Sequence, residues 1–370
     1  MKKQLLAMSL AVASTSVTAA IDITDNFSIS GFGSTSWARS DNETPLLVNR
    51  NIRDEDCFDC DTTFGVQLDY FYEAFKASVQ IVKRPQDHWS EPQLEWAYLG
   101  YSIGDFEVRA GRLRLPVFLA SEYYYVGHAY TTARPNEEVY NSILGVTAYN
   151  GASIIWNYSL TDELQLSLTP FVGFKDNNEV DFNPNLTLEF ETKNMWGLNA
   201  QLIGDNFRVN FAFLDSNFDQ TNKIRNLDVE VAPGFFMTIP YLEQPLKDQN
   251  IKLYSLGAEY DFDALKLMAE GQKNDLSSSW YASAAYRISQ FTPYLVYGET
   301  YSEGSDNNPY EGKTGDSWTL GLRYDLLYNV SLNAEWQRFN AVNGQSGPFI
   351  QSPEQDTDAN MYTIMVNFVF

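Results

Sequence analysis

The sequence predicts an all-β protein, a 16-stranded antiparallel transmembrane β-barrel, on three observations. Apolar side chains recur at every second residue in sixteen segments, about thirteen of them cleanly. The connections between the segments alternate between short and long. The face opposite the apolar one carries charges that no dry core could bury unpaired. An even number of alternating strands, with short turns at one end and long loops at the other, describes a barrel set in lipid. Closure is required because lipid leaves the groups of an open sheet edge unsatisfied.

The chain begins with Met1, Lys2 and Lys3, a short apolar run from Leu5 to Val12, and Val17-Thr18-Ala19. This pattern reads as a secretory signal peptide over residues 1–19, too short to span a bilayer, which takes about 20 apolar residues. Residues 20–370 then form a single barrel domain. Without Lys2 and Lys3, 23 basic residues face 48 acidic ones, a net charge of −25. So acidic a chain is no partner for nucleic acid, which needs a basic surface. Aromatic residues reach 15%, with 23 Tyr and 24 Phe.

The segments lie near 27–39, 62–72, 74–84, 93–102, 105–112, 145–160, 163–175, 193–204, 206–216, 250–262, 264–274, 278–289, 291–302, 315–327, 329–340 and 359–370. In the second, Phe64, Val66, Leu68, Tyr70 and Tyr72 alternate with Gly65, Gln67 and Asp69. In the ninth, Phe207, Val209, Phe211 and Phe213 alternate with Arg208, Asn210 and Ala212. Turns after even-numbered segments are brief, as at Glu73, Asp205 and Asp263. Most connections after odd-numbered segments are long and polar, including 40–61, 85–92, 113–144, 176–192, 217–249, 303–314 and 341–358.

A soluble all-β protein would also alternate. However, Tyr, Trp and Phe gather at the ends of the apolar face, where membrane interfaces require them. The opposite face carries Lys76, Arg84, Arg109, Arg208, Lys266, Glu270, Arg287, Arg323 and Glu335. A water-filled lumen accounts for them. Its basic members Lys76, Arg84, Arg208, Lys266, Arg287 and Arg323 become candidates for the pore wall.

The last segment places Tyr362, Ile364, Val366, Phe368 and a terminal Phe370 on one face. With the sixteen-segment count, with Ser28 to Ala38 (SISGFGSTSWA) and with Ala110-Gly111-Arg112, the chain resembles the trimeric sixteen-stranded porins of Gram-negative outer membranes. The resemblance implies a homotrimer in contact with outer-membrane lipid and lipopolysaccharide, and contact with the barrel assembly machinery through Tyr362 and Phe370. The small residues Gly31, Gly33 and Ser34 are the only hint of the trimer in the chain itself. The resemblance also implies passive diffusion of small hydrophilic solutes and ions, with no cofactor and no catalysis.

It implies, further, a long third loop folded into the lumen. The segment that would do this is 113–144, bulky and mixed in charge, with Tyr123, Tyr124, Tyr125 and Tyr130 in its middle. Loops of that length without a period are functional or disordered, and this one is too apolar for disorder. The residues expected at the constriction are Glu107, Arg109, Arg112, Arg114, Glu122, Arg134, Glu137 and Glu138. Fixed charges in a narrow pore sort solutes by charge. The bland alternative is that Arg112, Arg114 and Arg134 pair with Glu122, Glu137 and Glu138 simply to hold the loop. Strand parity breaks at Arg112, which predicts a strand end or a bulge. The mixture of signs leaves room for a substrate-selective channel for an anion or small organic acid, and for a plugged structural or adhesive barrel.

Cys57 and Cys60, the only cysteines, are expected as a local disulfide in an oxidising compartment. A zinc site would need two further ligands, and His88 and His128 are remote in sequence. Asp54, Glu55, Asp56, Asp59 and Asp61 surround the cysteines, either as a solvated loop tip or as oxygen ligands for a divalent cation. Asp306, Asn307 and Asn308 are a weaker case of the same kind. Neither histidine sits with a serine on an outer strand face, as a barrel lipase would need.

Overall fold

The computed structural model describes residues 20–85, 92–183, 185–232, 235–304, 309–351, 353 and 356–370. The expected leader over 1–19 lies outside the described residues, as do His88 and the stretch Asp306 to Asn308.

The two-residue period sets the architecture. In Thr63–Tyr72, Phe64, Leu68, Tyr70 and Tyr72 are exposed while Thr63, Gly65 and Asp69 are buried. Such a strand has an apolar outside and a polar inside, the reverse of a soluble protein. The barrel strands are β1 (Phe27–Ser40), β2 (Thr63–Tyr72), β3 (Phe75–Lys83), β4 (Gln93–Ile103), β5 (Phe106–Arg114), β6 (Ala148–Ser159), β7 (Gln165–Gly173) and β8 (Leu186–Ile203). They continue as β9 (Phe207–Ala232), β10 (Phe235–Phe262), β11 (Leu265–Asn274), β12 (Ser277–Tyr286), β13 (Phe291–Glu303), β14 (Glu311–Leu327), β15 (Val330–Ala341) and β16 (Asp358–Val369).

Each pairs antiparallel with the next, and β16 returns to β1 with Met361 opposite Ser40 and Val369 opposite Phe32. The ring is therefore closed at sixteen strands. The terminal Phe370 completes it: its N–H donates to Gly31 at 2.8 Å and its carbonyl accepts from Gly31 at 2.7 Å. Leu256 and Leu320 on the outer face are 60% and 55% exposed, an arrangement that only lipid stabilises.

Two departures from the expected strands have one cause. The segments 176–192 and 217–249, expected as loops, are largely sheet. A short strand, Asp176–Asn183, pairs with the start of β8, and β9 and β10 run on together far beyond the barrel. A membrane strand needs about 9–11 residues, while β9 and β10 have 26 and 28. The excess projects about 50 Å of ribbon at ~3.3 Å per residue. Water wets both of its faces, so no alternation marks it in the sequence. Its open edge carries Pro240 and Pro245, which blunt edge-to-edge pairing.

Gly31 and Gly33 face outward beneath the rings of Phe370 and Phe368, and Ser34 points inward to Asn367 at 2.7 Å. Within one chain these small residues make room for the rings of the last strand and a hydrogen bond to it.

Candidate functional site

The segment between β5 and β6 is the most deeply buried irregular stretch among the described residues. Strand β5 does not end at Arg112. Gly111, at φ +137°, turns the chain there, and the strand runs on to Arg114. A side chain at Gly111 would strike the Ala97 carbonyl, so the break in parity is built on that glycine. Beyond it, Val117 and Phe118 N–H donate to Ser121 Oγ at 3.2 and 2.9 Å. A helical turn, α1 (Glu137–Tyr140), starts at Asn136, whose side chain accepts from Val139 N–H. Val117, Phe118, Val139 and Tyr140 pack among Trp96, Tyr149, Phe171, Leu253, Tyr281 and Tyr294 of the strands. That contact reaches strands on both sides of the ring.

Polar bonds fix the segment at many places. Leu119 N–H donates to Glu270 Oε1 on β11 at 2.7 Å, and Ser255 Oγ on β10 donates to the Val117 carbonyl. Ala133 N–H donates to Glu335 Oε1 on β15 at 2.7 Å. Arg323 on β14 donates to the carbonyls of His128, at 2.9 Å, and Tyr130. His128 Nδ1 lies 3.1 Å from Ser331 Oγ, and Gly127 leaves no room for a side chain between Ser34 and Asn367. Hydrogen bonds to charged acceptors each contribute about 1.5–3 kcal/mol, so the segment is held, not loosely draped.

Arg134 is the densest of these nodes. Its Nε and Nη2 donate to the two oxygens of Asp61 at 2.8 and 2.7 Å, and it also reaches Gln337 and Thr363. Arg50 Nε forms an ion pair with the same Asp61 at 3.0 Å. Burial would push the Asp61 carboxyl up, but Arg134 and Arg50 more than offset it and hold it at about 2. Burial pushes the carboxyls of Glu137 and Glu138 above their ordinary value despite nearby donors. Glu138 accepts from Ser317 Oγ, whereas Glu137 Oε1 is enclosed with no hydrogen-bond partner.

The other expected constriction residues are also paired, but not as expected. Arg112 bonds Asp176 at 2.9 Å and Arg114 bonds Glu95 at 2.8 Å. Neither they nor Arg134 pairs with Glu122, Glu137 or Glu138, so that alternative is corrected in its partners, though pairing itself is general. Arg109 bonds Glu107 at 2.7 Å and stacks over Tyr98, while Glu122 is exposed nearby.

Of the expected wall residues, Arg208 and Lys266 share Glu259 at 2.9 and 2.8 Å. Arg208 also donates to Tyr123 OH at 3.2 Å. Lys76 lies over the Phe71 and Tyr98 rings. Arg84 lies past the end of β3, 3.8 Å from Glu95, and Arg287 past the end of β12, exposed and donating to the Asp263 carbonyl. These two do not sit on the barrel wall, because each follows the last paired residue of its strand. Arg208, Glu270 and Glu335 are buried, so loop and wall partners satisfy them where the sequence suggested water.

Cys57 and Cys60 are disulfide-bonded. The first loop folds inward, with Leu46, Ile52 and Cys60 packed on Ala38, Phe339 and Met361. Its acids do not converge. Asp56 takes Arg39 and the Trp37 indole, Glu55 takes Arg53, and Asp61 takes Arg134. The counter-charges Arg50, Glu95, Asp176 and Glu259 were missed from sequence, and Asp61 was read only as a loop acid; pairs such as Arg112–Asp176, Arg208–Glu259 and Arg134–Asp61 join residues that no local pattern links.

A family model described as Gram-negative porin matches residues 7–344. The chain belongs to the Gram-negative porin family. The porin is an outer-membrane channel of a Gram-negative bacterium, in line with its closed ring and lipid-suited exterior. Its fold is similar to that of OmpF of Salmonella typhi in complex with daunomycin, with a TM-score of 0.62 at 12% identity over 95% of this chain and 100% of that one. The anion-selective porin from Comamonas acidovorans gives 0.57 at 12% identity over 93% and 99%. In-vitro folded OmpT of Vibrio cholerae, in its trimer form, gives 0.57 at 12% identity over 94% and 100%. No curated protein matches the sequence.

Proposed function

We propose that the porin passes small hydrophilic solutes by passive diffusion, and that the segment after β5 lies in the lumen as its constriction. The observation that carries this is the set of loop N–H groups bonded to Glu270 and Glu335, side chains of the inward row on distant strands. The loop narrows the opening from several sides, so its own charges govern passage. The arginines there carry their own carboxylates, while Glu137 has Arg50 only at 4.0 Å and Glu138 has a serine in place of a guanidinium. That supports a preference for cations over the anion or organic-acid selectivity suggested by the arginines alone.

The same reading makes residues 1–19 a cleaved signal and the porin a homotrimer, as the trimer form of the similarly folded OmpT suggests. Tyr362 and Phe370 meet the assembly machinery, and the outer face meets lipid and lipopolysaccharide. No catalysis is involved. The one Ser–His contact among the described residues, His128 with Ser331, has a fully buried serine and serves as a lock. The test is single-channel recording in planar bilayers with asymmetric salt, alongside unheated gels for three copies. Failure to conduct, or a stable functional monomer, would overturn the corresponding part.

A further inference from the structure

A slot runs between the segment after β5 and the wall of β11–β15, from Gln337 and Phe339 at the long-loop end to Lys266 and Ala285 at the short-turn end. Its volume of ≈ 80 Å³ is room for about six waters at ~10–15 Å³ each on the same measure. At about 30 Å³ of liquid per water, that is roughly the bulk of a one-ring amine.

Tyrosines dominate its lining, and their hydroxyls are already engaged. Tyr281 donates to Glu270, Tyr294 to Glu335 and Tyr130 to the Tyr124 carbonyl, while Tyr140 accepts from Ala120 N–H. What they offer the slot is ring surface, which suits a flat apolar body better than a sugar. The two cations in the lining are consumed as well: Arg134 by Asp61, Gln337 and Thr363, and Lys266 by Glu259. The acids differ: Glu137 Oε1 is enclosed and lies 4.0 Å from Arg50, whereas Glu138 has a serine and, among the described residues, no cation.

Building on the proposed constriction, we infer that this slot is the solute path and that it binds organic cations bearing an aromatic ring. The ammonium lies at Glu138, with Glu137 behind it, and the ring lies among Tyr281, Tyr294 and Met268. Burial of an ammonium beside the Glu138 carboxylate and tyrosine faces combines ion pairing with cation–π attraction.

The test uses the purified full-length mature porin in planar bilayers. Phenethylammonium should interrupt the current at a concentration at least tenfold below that of ethylammonium or 3-phenylpropionate. Glu137→Gln with Glu138→Gln should raise its half-blocking concentration about tenfold. Because Cys57 and Cys60 are bonded to each other and no cysteine is free, Val296→Cys on the slot wall and Thr169→Cys on β7 can be labelled after folding. A cationic methanethiosulfonate should lower conductance by more than half at position 296 and leave it unchanged at 169. Equal potency of the phenylpropionate anion, a block unmoved by the Gln pair, or closure from position 169 instead of 296 would overturn the inference. In each case the wild-type channel still conducts salt, so these outcomes are distinct from failure of the channel reading. The probe comparison and the labelling stand even if the Gln pair does not insert.

Discussion

Asp61 shows how one residue governs the loop. Its carboxyl, held at about 2 against an ordinary 3.8, favours the folded state above pH 3.8, and that contribution disappears as pH falls towards 2. The difference is worth about 2 kcal/mol. Glu137 and Glu138 act with the opposite sign. Their pKa values lie above the ordinary 4.5, so proton uptake favours the fold below 4.5 and that gain is lost as pH rises through their raised values. Heat resistance on unheated gels should therefore rise from neutral pH to about pH 4, then fall. Asp61→Asn, which leaves the buried Arg134 short of its main counter-charge, should cost about 3 kcal/mol at neutral pH. It should also remove most of the fall below pH 4, and an unchanged acid limb would show that Asp61 is not the group involved. None of this was legible in the sequence. Asp61 stood there as one of five acids around a disulfide; its partner Arg134 lies 73 residues away, and Thr363, which Arg134 also bonds, lies 229 residues beyond Arg134.

At the scale of strands, the sequence was most legible where lipid enforces it. One face must be apolar at every second residue, so β2, β9 and β14 could be read directly from their alternation. The ribbon beyond the barrel has no such constraint and was read as loop. The inner face was read correctly in direction but wrongly in character, since Asn210 is fully buried and accepts from Asn199 and Gln201 at 2.7 and 3.2 Å. Phe211, its neighbour, faces lipid at 41% exposure. Phe211→Arg should impair insertion by about 2–4 kcal/mol near the bilayer midplane. Asn210→Arg, harmless in a wide water-filled pore, should here cost assembly too, because it breaks the amide ladder and meets no carboxylate bonded to that site. Refolding yield into liposomes measures both. Normal yield for Asn210→Arg would mean that this part of the inner wall is wet after all.

Across the whole molecule, charge is distributed so that the long-range and short-range fields share one sign. The mature chain, 23 basic against 48 acidic residues, carries −25. The first loop and the projecting ribbon hold acids such as Glu55, Asp56 and Asp248 in the open. At 0.15 M salt these act over about 8 Å, and at 1 M over about 3 Å, so their attraction for cations fades as salt rises. If free arginines lined the constriction, an anion preference would emerge once the mouths were screened. Arg112, Arg114 and Arg134 instead lie within 3.0 Å of Asp176, Glu95 and Asp61, whereas Glu137 has Arg50 only at 4.0 Å and Glu138 has a serine in place of a cation. Reversal potentials across a fixed KCl gradient should therefore favour K⁺ at low mean concentration and weaken towards neutrality at high concentration without changing sign. Replacing Arg109 and Arg112 together with Ala should lower heat resistance, through loss of the Asp176 pair, more than it moves the potential. A reversal to anion preference at high salt would mean that the guanidiniums, not the glutamates of α1, face the passing ions.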